Sequence, residues 1–278
     1  MPLRYAYNTN GCAHHRLADA LDLVAEAGYD GVALTLDWNH LDVMAADYRA
    51  QAERLGRDLR ARGLGLVVET GARFLLDPRR KHEPTLMAAE AAGRTLRLDM
   101  LTRALDVCAD AGGETVSFWS GPVQPGTPPV EAWAHLEEGV AELVRRAAVR
   151  GVEASFEPEP GHLTERLVDF DRLALAAPGL RLALDTGHLL VTGEANPADA
   201  VRAYAPHIGT VAVEDMDRGV HLHKPFGTGD VDVAAVLAAL TDVGFERLVT
   251  VELSRESPRA HEAIPESIAY LRRAEQAP

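Results

Sequence analysis

The sequence is poor in cysteine and aromatic residues and has no long apolar run. Its 278 residues include two cysteines, and aromatic residues make up 5% of the chain. Two cysteines, Cys12 and Cys108, cannot build a disulfide framework, and Cys108 lies in a helical apolar pattern typical of a small core residue. No stretch of about 18 apolar residues predicts a membrane span, and the N-terminus lacks the apolar run of a signal peptide. We therefore expect a cytoplasmic protein.

Positive charge is also scarce. Lys and Arg total 28 against 42 for Asp and Glu, which gives a formal net charge of −14. A nucleic acid would need a local basic patch to overcome this field. The basic clusters at 79–81, 145–146 and 272–273 are short and scattered. We therefore predict a small-molecule substrate, and neither nucleic acid nor membrane as a partner.

Short apolar segments alternate with longer segments of helical period along the whole chain. The predicted strands are Leu3–Asn8, Gly31–Asp37, Gly63–Thr70, Glu114–Ser120, Val152–Glu157, Leu180–Asp185, Ile208–Glu214 and Leu248–Leu253. Each precedes a predicted helix, and these are Arg16–Ala27, Ala45–Arg62, Thr95–Ala111, Val130–Arg150, Glu165–Ala176, Pro197–Ala205, Val233–Val243 and Glu262–Glu275.

Eight strand–helix units without a linker or a shift in composition predict an α/β fold, a single (β/α)8 TIM-barrel domain over residues 1–278. A doubly wound open sheet is the alternative. Two connections are unusually long, 71–94 after the third strand and 216–231 after the seventh. Both follow the carboxyl ends of strands, where barrels place their active sites, so we expect them to be ordered lids.

Acidic residues stand at the carboxyl ends of the last four predicted strands. Glu157, Asp185 and Glu252 each end an otherwise apolar strand, while Glu214 and Asp215 follow one another at the end of the seventh. Adjacent strand residues point in opposite directions, so we rank this pair below the other three. Carboxylates that converge repel each other, and a divalent cation would neutralise them. Carboxylate and imidazole ligands with open positions suit Mn²⁺, Mg²⁺, Co²⁺ or Zn²⁺.

The eight strand–helix units resemble the xylose isomerase-like TIM-barrel superfamily. Three segments carry the resemblance: FEPEPG around Glu157, LDTGH from Asp185 to His188 and VELS around Glu252. The superfamily includes sugar and sugar-phosphate isomerases and epimerases, inosose dehydratases and endonuclease IV-type enzymes. The resemblance covers essentially the whole chain. It implies a small polyol substrate, a homo-oligomer by analogy, and one divalent metal held by Glu157, Asp185, Glu252 and a histidine of the seventh strand.

The fourth metal ligand departs from the family pattern. The family has His-x-x-Asp on the seventh strand, and three residues before Asp215 this sequence has Ala212. His221 and His223 could reach in from the loop that follows, and two residues apart in extended geometry they share a face. Alternatively, His188 or a water completes the metal's ligands. Because this histidine is missing, a barrel that binds no metal remains an alternative interpretation.

The resemblance implies an isomerase or epimerase that acts on a small sugar, sugar phosphate or cyclitol. Glu157 and Glu252 would transfer protons on opposite faces of a carbon α to a carbonyl, through an enediolate, while the metal polarises the carbonyl. His188 would then position a substrate hydroxyl.

Three more residues are candidates for substrate binding. Glu69 ends the third strand, and Arg73 beyond it would suit a phosphate or carboxylate, unless it pairs with Glu69 or Asp77. Trp119, at the end of the fourth strand, either stacks on a sugar ring or packs in the core. The glycine-rich segment FGTGD at 226–230 predicts a turn before the next helix.

Two other functions remain open. An endonuclease IV-type phosphodiesterase would need further histidines at the ends of strands 2, 3 and 7, where this chain has Asp37, Glu69 and Glu214. The net charge also argues against it. A non-catalytic barrel that binds a metabolite is suggested by Ala212, and turnover with stoichiometric metal would exclude that interpretation.

Overall fold

The computed structural model describes residues 2–71 and 73–276. Eight parallel strands close into a barrel, which confirms the predicted (β/α)8 fold. In order around the barrel they are β1 (Arg4–Asn8), β2 (Gly31–Thr35), β3 (Gly65–Glu69), β4 (Thr115–Phe118), β5 (Glu153–Phe156), β6 (Arg181–Asp185), β7 (Ile208–Val213) and β10 (Leu248–Val251). Two short strands, β8 (Asp215–Asp217) and β9 (Val220–Lys224), form an antiparallel hairpin between β7 and β10 in the chain.

Helices cover the outside of the barrel. The α-helices are α1 (Leu17–Glu26), α2 (Tyr48–Arg62), α3 (Ala91–Ala111), α4 (Pro129–Arg150), α5 (Leu167–Ala176), α6 (Thr186–Thr192), α7 (Pro197–Tyr204), α8 (Val233–Asp242) and α9 (Ala260–Ala274). Short 3-10 turns lie at Thr9–Cys12, Ala205–His207 and Ser257–Arg259. No helix in the described ranges combines the length and the apolar character needed to cross a membrane.

The main apolar core lies between the strands and the helices, and a separate small cluster fills the barrel. Ala6, Ala33, Val67 and Leu248 form that inner cluster, and all four are fully buried. Gly31 gives Leu248 its space, since a Cβ there would come within 2.7 Å of the leucine side chain. The packed interior excludes a pore, so polar residues accumulate at the carboxyl ends of the strands.

Three features differ from the sequence predictions. The helix predicted from Thr95 begins at Ala91, so the irregular part of the connection after β3 is shorter. The stretch 216–231, expected as a lid, begins with the β8–β9 hairpin. Helix α6 follows β6 without a loop, because the Asp185 carboxylate caps it by accepting a hydrogen bond from the backbone N–H of His188 at 3.0 Å.

Candidate active site

A cavity of about 190 Å³ opens at the carboxyl end of the barrel. Its lining is mostly polar and combines four glutamates with histidines, two basic side chains and one tryptophan: Glu69, Glu157, Glu159, Glu252, His82, His188, His223, Arg73, Lys81 and Trp119. Asp185 lies on the floor below, beside Glu69, Glu157 and Glu252. His221 contacts His188 at the rim. The structure therefore brings all the sequence-predicted site residues to one place.

Asp185 is at the centre of the site. Its side chain is fully buried, and its Oδ2 has no hydrogen-bond partner among the described residues. Burial opposes ionisation of this carboxyl, but the imidazoles of His188 and His223 and the N–H of His188 together lower its pKa. Asp185 thus offers a charged, buried carboxylate oxygen that could bind a metal ion.

Two groups of potential metal ligands share Asp185. In one, ligand atoms of Asp185, His223 and Glu252 lie within 4.8 Å of one another, and in the other so do those of Glu157, Asp185 and His188. His221 groups only with His188 and His223. Of the two hairpin histidines, His223 therefore comes nearest to the predicted carboxylate ligands.

His221 instead contacts His188. The Nε2 atoms of the two rings are 3.1 Å apart, and the rings are nearly perpendicular. His188 Nδ1 lies 3.1 Å from the Pro158 carbonyl, and burial lowers the pKa of both imidazoles, so both are neutral near pH 7. If Nδ1 of His188 donates to that carbonyl, its Nε2 accepts the proton of His221. The side chain of His188 is thereby fixed from both ends.

Glu69, Glu157 and Glu159 have pKa values raised above the ordinary value of a glutamate. Burial, together with the charges of Glu159 and Glu252, raises the pKa of Glu157 well above its ordinary value. Burial and the charge of Glu252 raise the pKa of Glu69 to about 8. Burial and the charge of Asp185 likewise raise the pKa of Glu159. Carboxyls of this kind can both accept and donate a proton near neutral pH, and a bound divalent cation would favour their ionised forms.

Asn10 is a site residue that the sequence analysis missed. Its side-chain Nδ2 donates to Oε1 of Glu252 at 2.8 Å. The preceding Asn8 caps the 3-10 turn by accepting from the backbone N–H of Asn10 at 3.0 Å. The only signal in the sequence is the polar run Asn8-Thr9-Asn10 at the end of the first strand. None of these three side chains is titratable, so the run did not stand out among the candidate catalytic residues.

Arg73 and Trp119 form the wall on the β3–β4 side. Arg73 pairs with Asp37 at 3.0 Å, so its partner is neither Glu69 nor Asp77 as considered from the sequence. Trp119 packs edge-on against the imidazoles of His82 and His162. The guanidinium of buried Arg97 lies 4.9 Å from the centre of the indole. Trp119 is therefore held between packed neighbours and still lines the cavity.

Asp215 has a structural role beside the site. Its carboxylate accepts four backbone N–H groups of the glycine-rich loop, from Gly227, Thr228, Gly229 and Val231, at 2.8 to 3.1 Å. The predicted turn at 226–230 is thus tied directly to the end of β7. This contact positions the segment that follows the β8–β9 hairpin.

Comparison with known proteins shows which barrel proteins this chain resembles. The profile of the xylose isomerase-like TIM barrels matches residues 21–274. The sequence is 27% identical to an L-ribulose 3-epimerase of Mesorhizobium japonicum, over 84% of this chain and 74% of that protein.

Solved structures agree in fold. An L-ribulose 3-epimerase superposes with a TM-score of 0.77 at 20% identity, covering 99% of this chain and 96% of the other. A D-allulose 3-epimerase of Methylomonas sp. bound to D-allulose superposes with a TM-score of 0.74 at 19% sequence identity, covering 98% of this chain and 97% of the other. The IolI protein with a bound zinc atom superposes with a TM-score of 0.76 at 16% sequence identity, covering 98% of each chain.

Proposed function

We propose that this chain, which belongs to the xylose isomerase-like TIM-barrel family, is a metal-dependent epimerase of a small ketose. One observation carries the proposal: the carboxylates of Glu157, Asp185 and Glu252 converge with His223 on one polar cavity. The 3-epimerase names of the similar proteins support this choice among the sugar isomerisations that the barrel can host.

The side chains present suit a divalent metal. Glu157, Asp185, Glu252 and His223 offer three oxygen ligands and one nitrogen ligand, a mixed set that Mn²⁺, Co²⁺ or Zn²⁺ accepts. Asp185 Oδ2 is buried and has no hydrogen-bond partner among the described residues, as expected of an atom reserved for a cation. A metal held there would polarise the carbonyl of the sugar and stabilise the negative charge that develops on its oxygen.

Glu157 and Glu252 are the proposed acid–base pair. They stand directly after β5 and after β10, with β6 and β7 between these strands, so they reach the substrate from different directions. One carboxylate removes the proton from the carbon next to the carbonyl, and the carboxylic acid form of the other delivers a proton to the opposite face. In the reverse direction the roles exchange. The raised pKa of Glu157 favours its carboxylic acid form, which is the proton donor of the pair.

The remaining residues bind and orient the sugar. Neutral His188, held by Pro158 and His221, is placed to hydrogen-bond a substrate hydroxyl. Trp119 offers an apolar surface for the carbon face of the sugar, and Glu69 of the neighbouring strand β3 can hydrogen-bond a hydroxyl. Since Asp37 already neutralises Arg73, this residue gives no preference for a sugar phosphate over an uncharged sugar.

The experiment is an epimerisation assay by NMR. Protein stripped of metal by a chelator and then supplied with Mn²⁺, Mg²⁺, Co²⁺ or Zn²⁺ is incubated with L-ribulose, D-allulose and D-tagatose. The proposal predicts conversion of at least one ketose to its C3 epimer, with activity lost on stripping and restored by metal. Full activity in stripped protein would refute metal dependence, and no conversion of any ketose would refute the epimerase.

A further inference from the structure

Glu214 carries a buried carboxylate that the proposed chemistry does not use. Its side chain is fully buried, and neither Oε1 nor Oε2 has a hydrogen-bond partner among the described residues. Burying a carboxylate without a partner is unfavourable, and proteins normally pair such a group. An unpaired glutamate at the edge of a candidate metal site therefore indicates an interaction that depends on the occupied site.

One side chain able to donate to Glu214 is the imidazole of His223. Nδ1 of His223 lies 3.9 Å from Oε2 of Glu214, and this nitrogen also lacks a hydrogen-bond partner in the described part of the chain. A ring nitrogen of the same histidine lies within 4.8 Å of ligand atoms of Asp185 and Glu252. His223 thus lies near both Glu214 and the proposed metal ligands, and its Nδ1 is about 1 Å too far from Glu214 for a hydrogen bond.

We propose that Glu214 is a positioning residue for His223, and that the two together replace the histidine missing from β7. Nδ1–H of His223 donates to the Glu214 carboxylate, which fixes the tautomer with a free lone pair on Nε2 and directs that atom to the metal. Carboxylate–histidine–metal arrangements of this kind raise the basicity of the ligand and hold its ring in place. The inference rests on the proposed function, because it requires a metal at Asp185.

The surrounding chain fits Glu214 closely. Gly187 in the LDTGH motif leaves the space for its carboxylate, because a Cβ at that position would lie 2.4 Å from Oε1. The same Cβ would lie 2.8 Å from the side chain of Met216. Glycine at 187 therefore admits a longer acidic side chain from the end of β7, next to the hairpin that carries His223.

The test measures metal affinity rather than activity. Co²⁺ or Zn²⁺ is titrated against a competing chelator in the parent, Glu214→Gln, His223→Ala and the double variant. Glu153→Gln is the matched control, since Glu153 pairs with Arg247 at the opposite end of the barrel. We expect Glu214→Gln to weaken binding about 10- to 100-fold, as outer-sphere changes do. It should have little further effect once His223 is removed, and the control should bind like the parent.

Two results would overturn the inference alone. One is metal affinity in Glu214→Gln equal to that of the parent, and the other is an equal loss in the presence and absence of His223, which would mean that Glu214 acts independently. A parent that binds no metal would overturn the proposed function as well, so the two failures are distinguishable.

A second measurement needs no Glu214 variant. In long-range ¹H–¹⁵N spectra of the zinc-loaded parent, with His223→Gln used for assignment, we expect His223 to carry its proton on Nδ1 and to show a metal-bound Nε2. A proton on Nε2 would contradict the proposal.

Discussion

Asp185 and Ala212 are register partners on the adjacent strands β6 and β7. The buried carboxylate therefore stands beside a methyl group at the position where the family pattern has an imidazole. The β8–β9 hairpin brings His223 to the same carboxylate from outside the barrel. We propose that a metal ligand supplied by the hairpin takes the place of one supplied by the strand.

The two hairpin histidines should behave differently. Because His223 approaches Asp185 and Glu252, His223→Ala should weaken metal binding by more than about 100-fold, beyond the loss typical of outer-sphere changes. His221→Ala removes contacts to His188 and Glu159, neither of which is among the four proposed metal ligands, so it should keep the metal and raise KM. Metal content by plasma mass spectrometry, alongside kinetics, separates the two. Equal metal loss in both variants would contradict the assignment.

Metal should stabilise the protein more as the pH rises. In the metal-free protein the raised pKa of Glu69, about 8 against an ordinary 4.5, means that the folded state holds a proton which the unfolded chain has released. Stability from this group is complete below about pH 4.5 and is lost as the pH rises through 8. Glu157 and Glu159 act in the same direction.

Bound metal favours the ionised carboxylates and removes this loss. The difference in Tm between metal-loaded and metal-free protein, measured by calorimetry, should therefore increase from pH 5 to pH 8. In the Glu69→Gln variant, the Tm of the metal-free protein should fall less steeply between pH 5 and pH 8. A difference in Tm that does not change with pH would contradict the buried, mutually repelling carboxylates.

Asn10 should be a positioning residue for Glu252. Its amide donates to the carboxylate at 2.8 Å, and a hydrogen bond to a charged group is worth about 1.5–3 kcal/mol. Asn10→Ala should therefore lower kcat roughly 10- to 100-fold and change thermal stability little. Asn10→Gln, which keeps an amide but moves it, is the matched comparison, and kcat equal to the parent in both variants would exclude the role.

Asp215 should contribute to stability rather than to chemistry. Asp215→Ala leaves four backbone N–H groups of residues 227–231 without their acceptor, and we expect a loss of about 3 kcal/mol in the free energy of unfolding. Asp215→Asn keeps one acceptor oxygen and should lose less. Urea denaturation measures both, and an unchanged midpoint in Asp215→Ala would show that the loop does not depend on this carboxylate.

The sequence predicted the barrel well because its strands are short apolar runs closed by acids or glycines. Each predicted strand boundary lies within two residues of the observed one. The acids at strand ends followed from the same pattern, since parallel strands in a barrel direct their carboxyl ends to one face. Glu157, Asp185 and Glu252 needed no tertiary information.

The replacement for the missing histidine could not be predicted in the same way. The position of His223 depends on the hairpin folding back toward β6. This is a tertiary contact, and the sequence of a short polar strand does not predict it. Glu214 was ranked low by the rule that adjacent strand residues point in opposite directions. The two side chains do face different neighbours, since Asp215 binds the glycine-rich loop and Glu214 lies near His223, but the burial of both does not follow from the sequence.

The central claim is a proton exchange between Glu157, Glu252 and the sugar, and solvent isotope incorporation tests it most directly. A ketose that the metal-loaded protein epimerises is incubated in deuterium oxide, and the product is analysed by NMR. We expect one deuterium at the inverted carbon, and Glu157→Gln and Glu252→Gln should each slow the reaction about 10²- to 10⁴-fold, while Glu153→Gln does not. An epimer formed without deuterium, or full activity in both variants, would contradict the account.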